Sequence, residues 1–353
     1  MSPPLRIGIA ITRAASIDAT WTTVHLARAA LDRGHSVRFI EPWDFEIDAA
    51  RRIIARSHAF DPPTASAEAI AAALAERVAP RRFVDVERLD LLMLRAAPLD
   101  PAVLTFAAIA QDCGVRVVND PAGALRVSHK SWLAAQKGAV TPATLVTRSA
   151  GAAHTFFQTQ PTGVVVKPAR GSGGRGVARV LAREADVLDA AFVDARDHGD
   201  GYVVLQAYLH EAEAGEKRVV WLDGEVIGGY LRRRAPNDFR HNLSRGGVAE
   251  PTEITPADHA AIASLSAPLL RAGIRLVGFD LIGGAITEVN ALNPGGAFHA
   301  DRLTAGRLGE RIIAALEHPA PLAPDLSPTP VPSRTPENAP SEPESNAWAS
   351  PAR

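Results

Sequence analysis

The stretch Val166-Lys167-Pro168-Ala169-Arg170-Gly171-Ser172-Gly173-Gly174-Arg175-Gly176-Val177-Ala178-Arg179-Val180 decides the fold. Four of the six residues 171–176 are glycine, more than an ordinary turn requires. Apolar runs stand on both sides, so the loop joins two strands. A dinucleotide-binding loop leads from a strand into a helix, which excludes that reading. No G-x-x-x-x-G-K-[ST] pattern is present, which excludes a P-loop. Lys167 precedes the glycines, whereas in a protein kinase the glycine loop comes first. What remains is a flap whose backbone N–H groups wrap phosphate, with Lys167 and Arg175 beside it.

Upstream, residues 5–11 and 36–40 read as strands around a helix at 20–32 closed by Gly34. This rhythm predicts a parallel α/β unit. A strand at 90–94, a helix at 102–112 and a strand at 115–118 extend it to about residue 120. Residues 44–88 are rich in Ala and Arg and read as partly helical. Cys113 is the single cysteine, so no intrachain disulfide forms, and its apolar surroundings predict a buried, inert thiol.

Around the glycine loop, strands are expected at 143–146, 163–166 and 177–181, with a helix at 150–158. Two hairpins follow. Asp223-Gly224 joins strands 218–222 and 226–231, a strong turn signal. Gly283-Gly284-Ala285 joins strands 276–282 and 286–290. Hairpins interleaved with helices predict an α+β region after the first α/β region. A last helix is expected over 302–317. Residues 319–353 hold ten of the 27 prolines and read as a disordered tail.

Bulk composition narrows the function. The formal net charge is −1, and 22% of residues are charged. No long basic run exists, which argues against nucleic acid as a partner. No apolar run is long enough to span a membrane, and the N-terminus lacks the pattern of a signal peptide. The expected location is the cytoplasm.

Three constellations carry chemistry. The first is the glycine loop with its lysine. The second is acidic. Glu288 and Asn290 lie two apart on a strand and share a face. A three-residue loop at 283–285 places Asp280 opposite Glu288. Two carboxylates and an amide oxygen are hard donors suited to Mg²⁺ bridging nucleotide phosphates. Asp280 sits in an otherwise apolar strand, where a carboxylate needs a partner. The third is basic, running from Lys217 and Arg218 through Arg232, Arg233 and Arg234 to Arg240 and Arg245. Guanidinium groups suit carboxylate and phosphate contacts. Strand alternation favours Arg233 over Arg232 and Arg234. Asn242 lies in the same connection, and Gly246-Gly247 adds backbone freedom.

Together these residues resemble the prokaryotic glutathione synthetases of the ATP-grasp superfamily. The likeness runs over residues 5–317. It rests on His129-Lys130, Thr141-Pro142-x-Thr144, Val166-Lys167-Pro168 with the glycine loop, and Gln206-x-Tyr208-Leu209. It continues through Gly215-Glu216-Lys217-Arg218, Arg240-x-Asn242, Gly278-x-Asp280 and Thr287-Glu288-Val289-Asn290. The resemblance implies an ATP-grasp fold with an N-terminal open α/β domain (1–120), a lid domain (121–205) and a catalytic domain (206–318). It implies that Lys130, Lys167 and the loop residues Gly171, Ser172, Gly173, Gly174 and Gly176 contact ATP phosphates. Gln206, Ala207, Tyr208 and Leu209 would lie along the adenine, and Glu216 on the ribose. Asp280, Glu288 and Asn290 would hold Mg²⁺, with Mn²⁺ as a substitute. Arg218 and Arg240 would act in catalysis. Arg233, Asn242, Pro294, Gly295 and Gly296 are the substrate-side candidates.

The implied activity is ATP-dependent joining of a carboxylate to an amine through an acyl phosphate, with γ-glutamylcysteine and glycine as substrates. The partners are then small molecules, and a homo-oligomer is compatible. Departures from the family fall at Thr20-Trp21-Thr22-Thr23, Ala97-Pro98-Leu99-Asp100 and Asn293-Pro294-Gly295-Gly296, at or near the family's peptide-substrate side. They leave open a different amide- or peptide-forming ligase. A nucleotide-binding regulator without catalysis, or an assembly component recruited through its tail, are the readings from other classes.

Overall fold

A computed structural model of the chain describes residues 3–63, 65–98, 100–171 and 173–320. Ser172 and the tail beyond residue 320, both singled out in the sequence, lie outside the described residues.

The first sheet grows from β1 (Arg6–Ala10), α1 (Thr22–Asp32) and β2 (Ser36–Ile40). β1 pairs in parallel with β2, as the strand–helix–strand rhythm predicts. The next segment departs from expectation. β3 (Phe45–Ile47), β4 (Ile53–Phe60), α2 (Ala67–Ala75) and β5 (Arg81–Asp85) occupy it, so it is mostly strand. β4 alternates buried and outward residues over much of its length and runs antiparallel to β2, β3 and β5. Composition suggested helix, but this alternation carries the structure. β6 (Leu91–Leu94), α3 (Pro101–Asp112) and β7 (Arg116–Val118) complete the sheet in order β3-β4-β2-β1-β6-β7, with β5 on β4. All four β6 residues are buried, as expected for a central parallel strand. Cys113 is exposed, contrary to expectation, because α3 ends at Asp112 and Cys113 caps it.

α4 (Pro121–Val127) and α5 (Ser131–Ala134) lead to the second sheet. It comprises β8 (Thr144–Thr147), β9 (Val164–Pro168), β10 (Ala178–Val180) and β11 (Val203–Ala207), in order β10-β9-β11-β8. α6 (Ala150–Gln158) and α7 (Leu188–Asp197) supply Phe157, Leu188 and Phe192 to its core. β9 and β10 are antiparallel, so the glycine loop does join two strands.

The third sheet holds β12 (Glu216–Leu222), β13 (Glu225–Arg233), β14 (Val248–Glu250), β15 (Leu276–Ile282) and β16 (Ala285–Asn290). Its order is β14-β13-β12-β15-β16. α8 (Pro256–Arg271) starts with a capping box between Thr255 and Asp258 and packs Ile262, Leu265 and Leu269 under the sheet. The single long helix expected at the end is two, α9 (Ala297–Thr304) and α10 (Leu308–Leu316). Ala305 is left-handed at φ 50°, which ends α9. Asp301 then accepts from the N–H groups of Leu308 and Gly309 and restarts the chain as α10.

Candidate functional site

The glycine loop folds over a cleft between the second and third sheets. Gly173, Gly174 and Gly176 have φ of 70°, 70° and 62°, where a side chain is strained. Gly174 is also crowded, since a Cβ there would come within 3.2 Å of Arg240 Cδ. Three cations hold the loop's carbonyls. Lys130 Nζ donates to Gly171 O at 3.2 Å, Arg240 Nη1 to Gly174 O at 2.8 Å, and Arg245 Nε to Gly173 O at 3.4 Å.

Lys130 precedes α5 and Lys167 lies on β9, yet both line the same cavity of about 220 Å³. Lys167 is buried, and its Nζ donates to Gln206 Oε1 at 3.0 Å and to Thr287 O at 3.1 Å. Burial pushes its pKa below the usual lysine value, against the pull of Glu288. Gln206, Ala207, Tyr208 and Leu209 line the same cavity, as do Gly171, Gly173, Gly174, Glu216 and Asn242. Gly176 does not line it; the loop backbone turns there.

β15 and β16 carry the acids. Asp280 does stand opposite Glu288, but not for the expected reason. The turn holds two residues, Gly283 and Gly284, because Ile282 pairs with Ala285. Taken alone, that register would put Thr287 opposite Asp280. An irregularity between Asp280 and Leu281 absorbs one residue and restores the Asp280–Glu288 pair. Asn290 Nδ2 donates to Asp280 Oδ2 at 3.2 Å, and Lys130 Nζ lies 3.3 Å from Glu288 Oε1.

Asp280 is the electrostatic centre. Arg218 meets it side-on, with Nε 2.6 Å from Oδ1 and Nη2 3.1 Å from Oδ2. Arg232 Nη2 lies 2.7 Å from Asp280 Oδ1 and 2.5 Å from Glu216 Oε2. Burial alone would raise the Asp280 carboxyl; the two guanidinium groups outweigh it and hold its pKa well below the usual value. Glu216 shares Arg232 less successfully, and burial raises its carboxyl. Among the described residues no group of three or more His, Cys, Asp and Glu side chains is placed to hold a metal. The set here is two carboxylates and an amide, on one face of the β15–β16 hairpin and lining the cavity. Those hard oxygen donors fit Mg²⁺, or Mn²⁺ in its place.

Arg240 faces the cleft and is steadied by Asp238, whose Oδ2 lies 2.9 Å from Nη2. Pro294, Gly295 and Gly296 do not line the cavity; Gly295 and Gly296 back onto Arg218, whose Nη1 donates to Gly295 O at 3.2 Å, while Pro294 O accepts from Arg95 Nη1 at 2.7 Å. Arg233 is a correction. It does not line the cavity; it pairs with Glu250 at 2.9 Å on the exposed side. Arg232 is the residue turned inward, because β13 runs on to Arg233 against β14 and places Arg232 opposite Glu216. The alternation expected from the sequence is one residue out of phase: Arg232, not Arg233, faces Glu216 and Asp280.

Comparison with known proteins follows the same geometry. The N-terminal domain of prokaryotic glutathione synthetase matches residues 5–126, and its ATP-grasp domain matches residues 132–305. A glutathione synthetase from Nostoc sp. is 31% identical over 67% of this chain and 74% of its own length. The chain belongs to the prokaryotic glutathione synthetase family.

Within that family, the glutathione synthetase of Thermosynechococcus vestitus is 38% identical over 57% of this chain. That match spans 62% of the relative, less than two thirds of its length. Among solved structures, D-cycloserine synthetase aligns with a TM-score of 0.61 at 18% identity, covering 88% of this chain and 98% of that one. The D-Ala:D-Ser ligase VanG from Enterococcus faecalis aligns at 0.60 and 15% identity, covering 90% and 100%. At those identities the likeness is one of fold, and the fold is ATP-grasp. Beyond the family motifs, the structure adds Arg232 and His241 to the cavity lining and Asp238 behind Arg240, while Thr287 of the Thr287–Asn290 motif accepts from Lys167 through its carbonyl. Among the described residues no helix is long and apolar enough to cross a membrane.

Proposed function

We propose that this chain is an ATP-dependent, ADP-forming ligase that joins γ-glutamylcysteine to glycine through an acyl phosphate. The observation that carries the reading is the convergence on one cavity of two lysines, a glycine flap, three oxygen donors and two arginines from separate elements. In this reading the domains divide at 1–120, 121–205 and 206–318. Lys130, Lys167 and the glycine loop hold the ATP phosphates. Gln206, Ala207, Tyr208 and Leu209 line the adenine, and Glu216 takes the ribose hydroxyls. The carboxylates of Asp280 and Glu288 and the amide of Asn290 would hold Mg²⁺, which supplies charge neutralisation at the transferred phosphoryl group.

Chemistry then follows in two steps. A substrate carboxylate oxygen attacks the γ-phosphorus, the bond to ADP breaks, and an acyl phosphate forms. The amine nitrogen attacks the acyl carbon, phosphate departs, and the amine proton is lost. Arg218 and Arg240 accept the negative charge that accumulates during transfer. The flap excludes water that would hydrolyse the acyl phosphate. The substrates are small molecules and the location is the cytoplasm.

The first turn of α1 contains no acid, and neutral residues occupy 96–98. Those substrate-side departures favour, as a second reading, the same chemistry on another carboxylate. ADP release with ATP, Mg²⁺, γ-glutamylcysteine and glycine, with glutathione followed by mass spectrometry, separates the two. ADP formation with a different carboxylate–amine pair, and none with this one, selects the second. No ADP with any pair overturns both.

A further inference from the structure

β5 closes one side of the first sheet, and among the described residues only β4 pairs with it. Its other edge is open. Ala59 N donates to Pro80 O at 2.8 Å. Ladder pairs of that kind recur at every second residue, so Arg82 and Val84 turn their backbone groups to β4. Arg81 and Phe83 turn theirs outward. An open edge is a template for another strand, and folds ordinarily blunt it with charge or cover it. Here the middle of the edge is apolar. Phe83 is 63% exposed and Val78, just before the strand, 67%; no other large apolar side chain among the described residues is as exposed as these two. The Arg56 guanidinium of β4 lies over the Phe83 ring, 5.3 Å from its centroid.

Arg81, Phe83 and Asp85 share one face of β5 by strand alternation. That face is self-complementary. An antiparallel copy centred on Phe83 sets Arg81 against Asp85 of the other copy, Phe83 against Phe83, and Asp85 against Arg81. Opposite charges directly across two strands stabilise the pair, and like charges oppose it. A centre on Arg82 would set two arginines together, and a centre on Val84 would set Phe83 against Asp85. Asp85 has capacity for the contact: its Oδ1 makes no hydrogen bond among the described residues, and its ion pair with Arg88 is long, at 3.8 Å. Arg81 holds Asp44 through Nη2 at 2.6 Å, yet its side chain stays 38% exposed and can meet a second acid.

We infer that β5 is the interface of a symmetric dimer, in which two copies of this chain join edge to edge about a two-fold axis at Phe83 and run their first sheets into one. Such a contact is isologous, so one face serves both copies. Each Phe83 exchanges N–H and C=O with the other, and a row of Arg56, Phe83, Phe83 and Arg56 crosses the seam. The surface is separate from the nucleotide cavity, none of whose lining residues lies on β5.

Light scattering on the full chain reads the assembly, and oxidative cross-linking reads the register. Wild type is expected at an even multiple of the chain mass. Phe83→Glu sets two carboxylates on the axis and should halve that mass, with the circular dichroism unchanged. Asp85→Arg sets arginine against Arg81 and should do the same. Cross-linking is done with Cys113→Ser as background, which removes the exposed native thiol. There Phe83→Cys should form an intermolecular disulfide, because a hydrogen-bonded antiparallel pair holds its Cα atoms about 5.5 Å apart, within disulfide reach. Arg82→Cys is the control: position 82 is also exposed, but its two copies lie on a diagonal of roughly 7–8 Å, beyond that reach. It should cross-link far more slowly. If Phe83→Glu does not fold, the cross-linking comparison decides. A monomeric wild type, a folded Phe83→Glu protein of undiminished mass, or equal cross-linking at 82 and 83 overturns the interface.

Discussion

Arg218 holds Asp280 side-on, Nε to Oδ1 at 2.6 Å and Nη2 to Oδ2 at 3.1 Å, from the neighbouring position on β12. The contact leaves Nη1 on Gly295 O, so the guanidinium plane is fixed before any substrate arrives. Arg218→Lys keeps the charge but loses that fork. Asp280 keeps Arg232, so the fold should survive. We expect kcat to fall about 10²-fold, by analogy with the loss of one transition-state donor, while ATP affinity changes far less. Separate measurement of nucleotide binding and kcat tests this. A variant that binds ATP poorly but turns over normally at saturation would move Arg218 to the nucleotide side.

Glu288 should be indispensable for turnover and dispensable for folding. Its side chain is 32% exposed and its ion pair among the described residues is with Lys130, at 3.3 Å, so Glu288→Gln breaks one partly exposed pair. Such pairs contribute about 1 kcal/mol or less. The same change removes one of the two carboxylates proposed to hold Mg²⁺. Melting temperature should move little, while ADP formation should nearly vanish. An active Glu288→Gln protein would remove Glu288 from the metal site.

How far the sequence could be read depended on whether a local signal was also the structural cause. Asp223-Gly224 is the turn between Leu222 and Glu225, and its residues alone dictate it. The glycine loop joins β9 to β10 because valines flank it, which is again local. The Asp280–Glu288 pair was legible only by accident of cancellation, since a shorter turn and an irregularity offset one another. Arg232 was missed because β14, fifteen residues beyond the end of β13, lengthens that strand; no residue near 232 records it. The α9–α10 break depends on Asp301 reaching the α10 N-terminus, a packing choice that apolar periodicity does not encode.

Arg232 and Arg233 are adjacent, and their replacement should separate cleanly. Arg232 joins two buried or half-buried acids, Asp280 and Glu216. Arg232→Met leaves both without their shared cation, a change that costs on the order of 3–5 kcal/mol in comparable buried pairs. Arg233 pairs with Glu250 at the surface, with both side chains more than 40% exposed. Arg233→Met should change stability by about 0.5 kcal/mol or less. Urea unfolding of the two variants gives the comparison. Equal destabilisation would show that the strand alternation is not as described.

Lys167 gives a pH dependence opposite to that of an exposed ion pair. Its folded pKa is depressed below 10.5, chiefly by burial. Between the folded pKa and 10.5 the unfolded chain therefore holds the proton that the folded chain has released. Stability from this group accordingly rises with pH across that window and is lowest where Lys167 is charged in both states. ATP reverses the preference, because phosphate beside Nζ favours the ammonium form. Binding should take up a proton, and ATP affinity should fall as pH climbs toward 10.5. Calorimetry in two buffers of different ionisation enthalpy reads the proton directly. In Lys167→Met the uptake from this group should vanish, and ATP should bind more weakly at neutral pH. Wild-type binding that takes up no proton and keeps one affinity from neutral pH to pH 10 would show that Lys167 does not contact the phosphates.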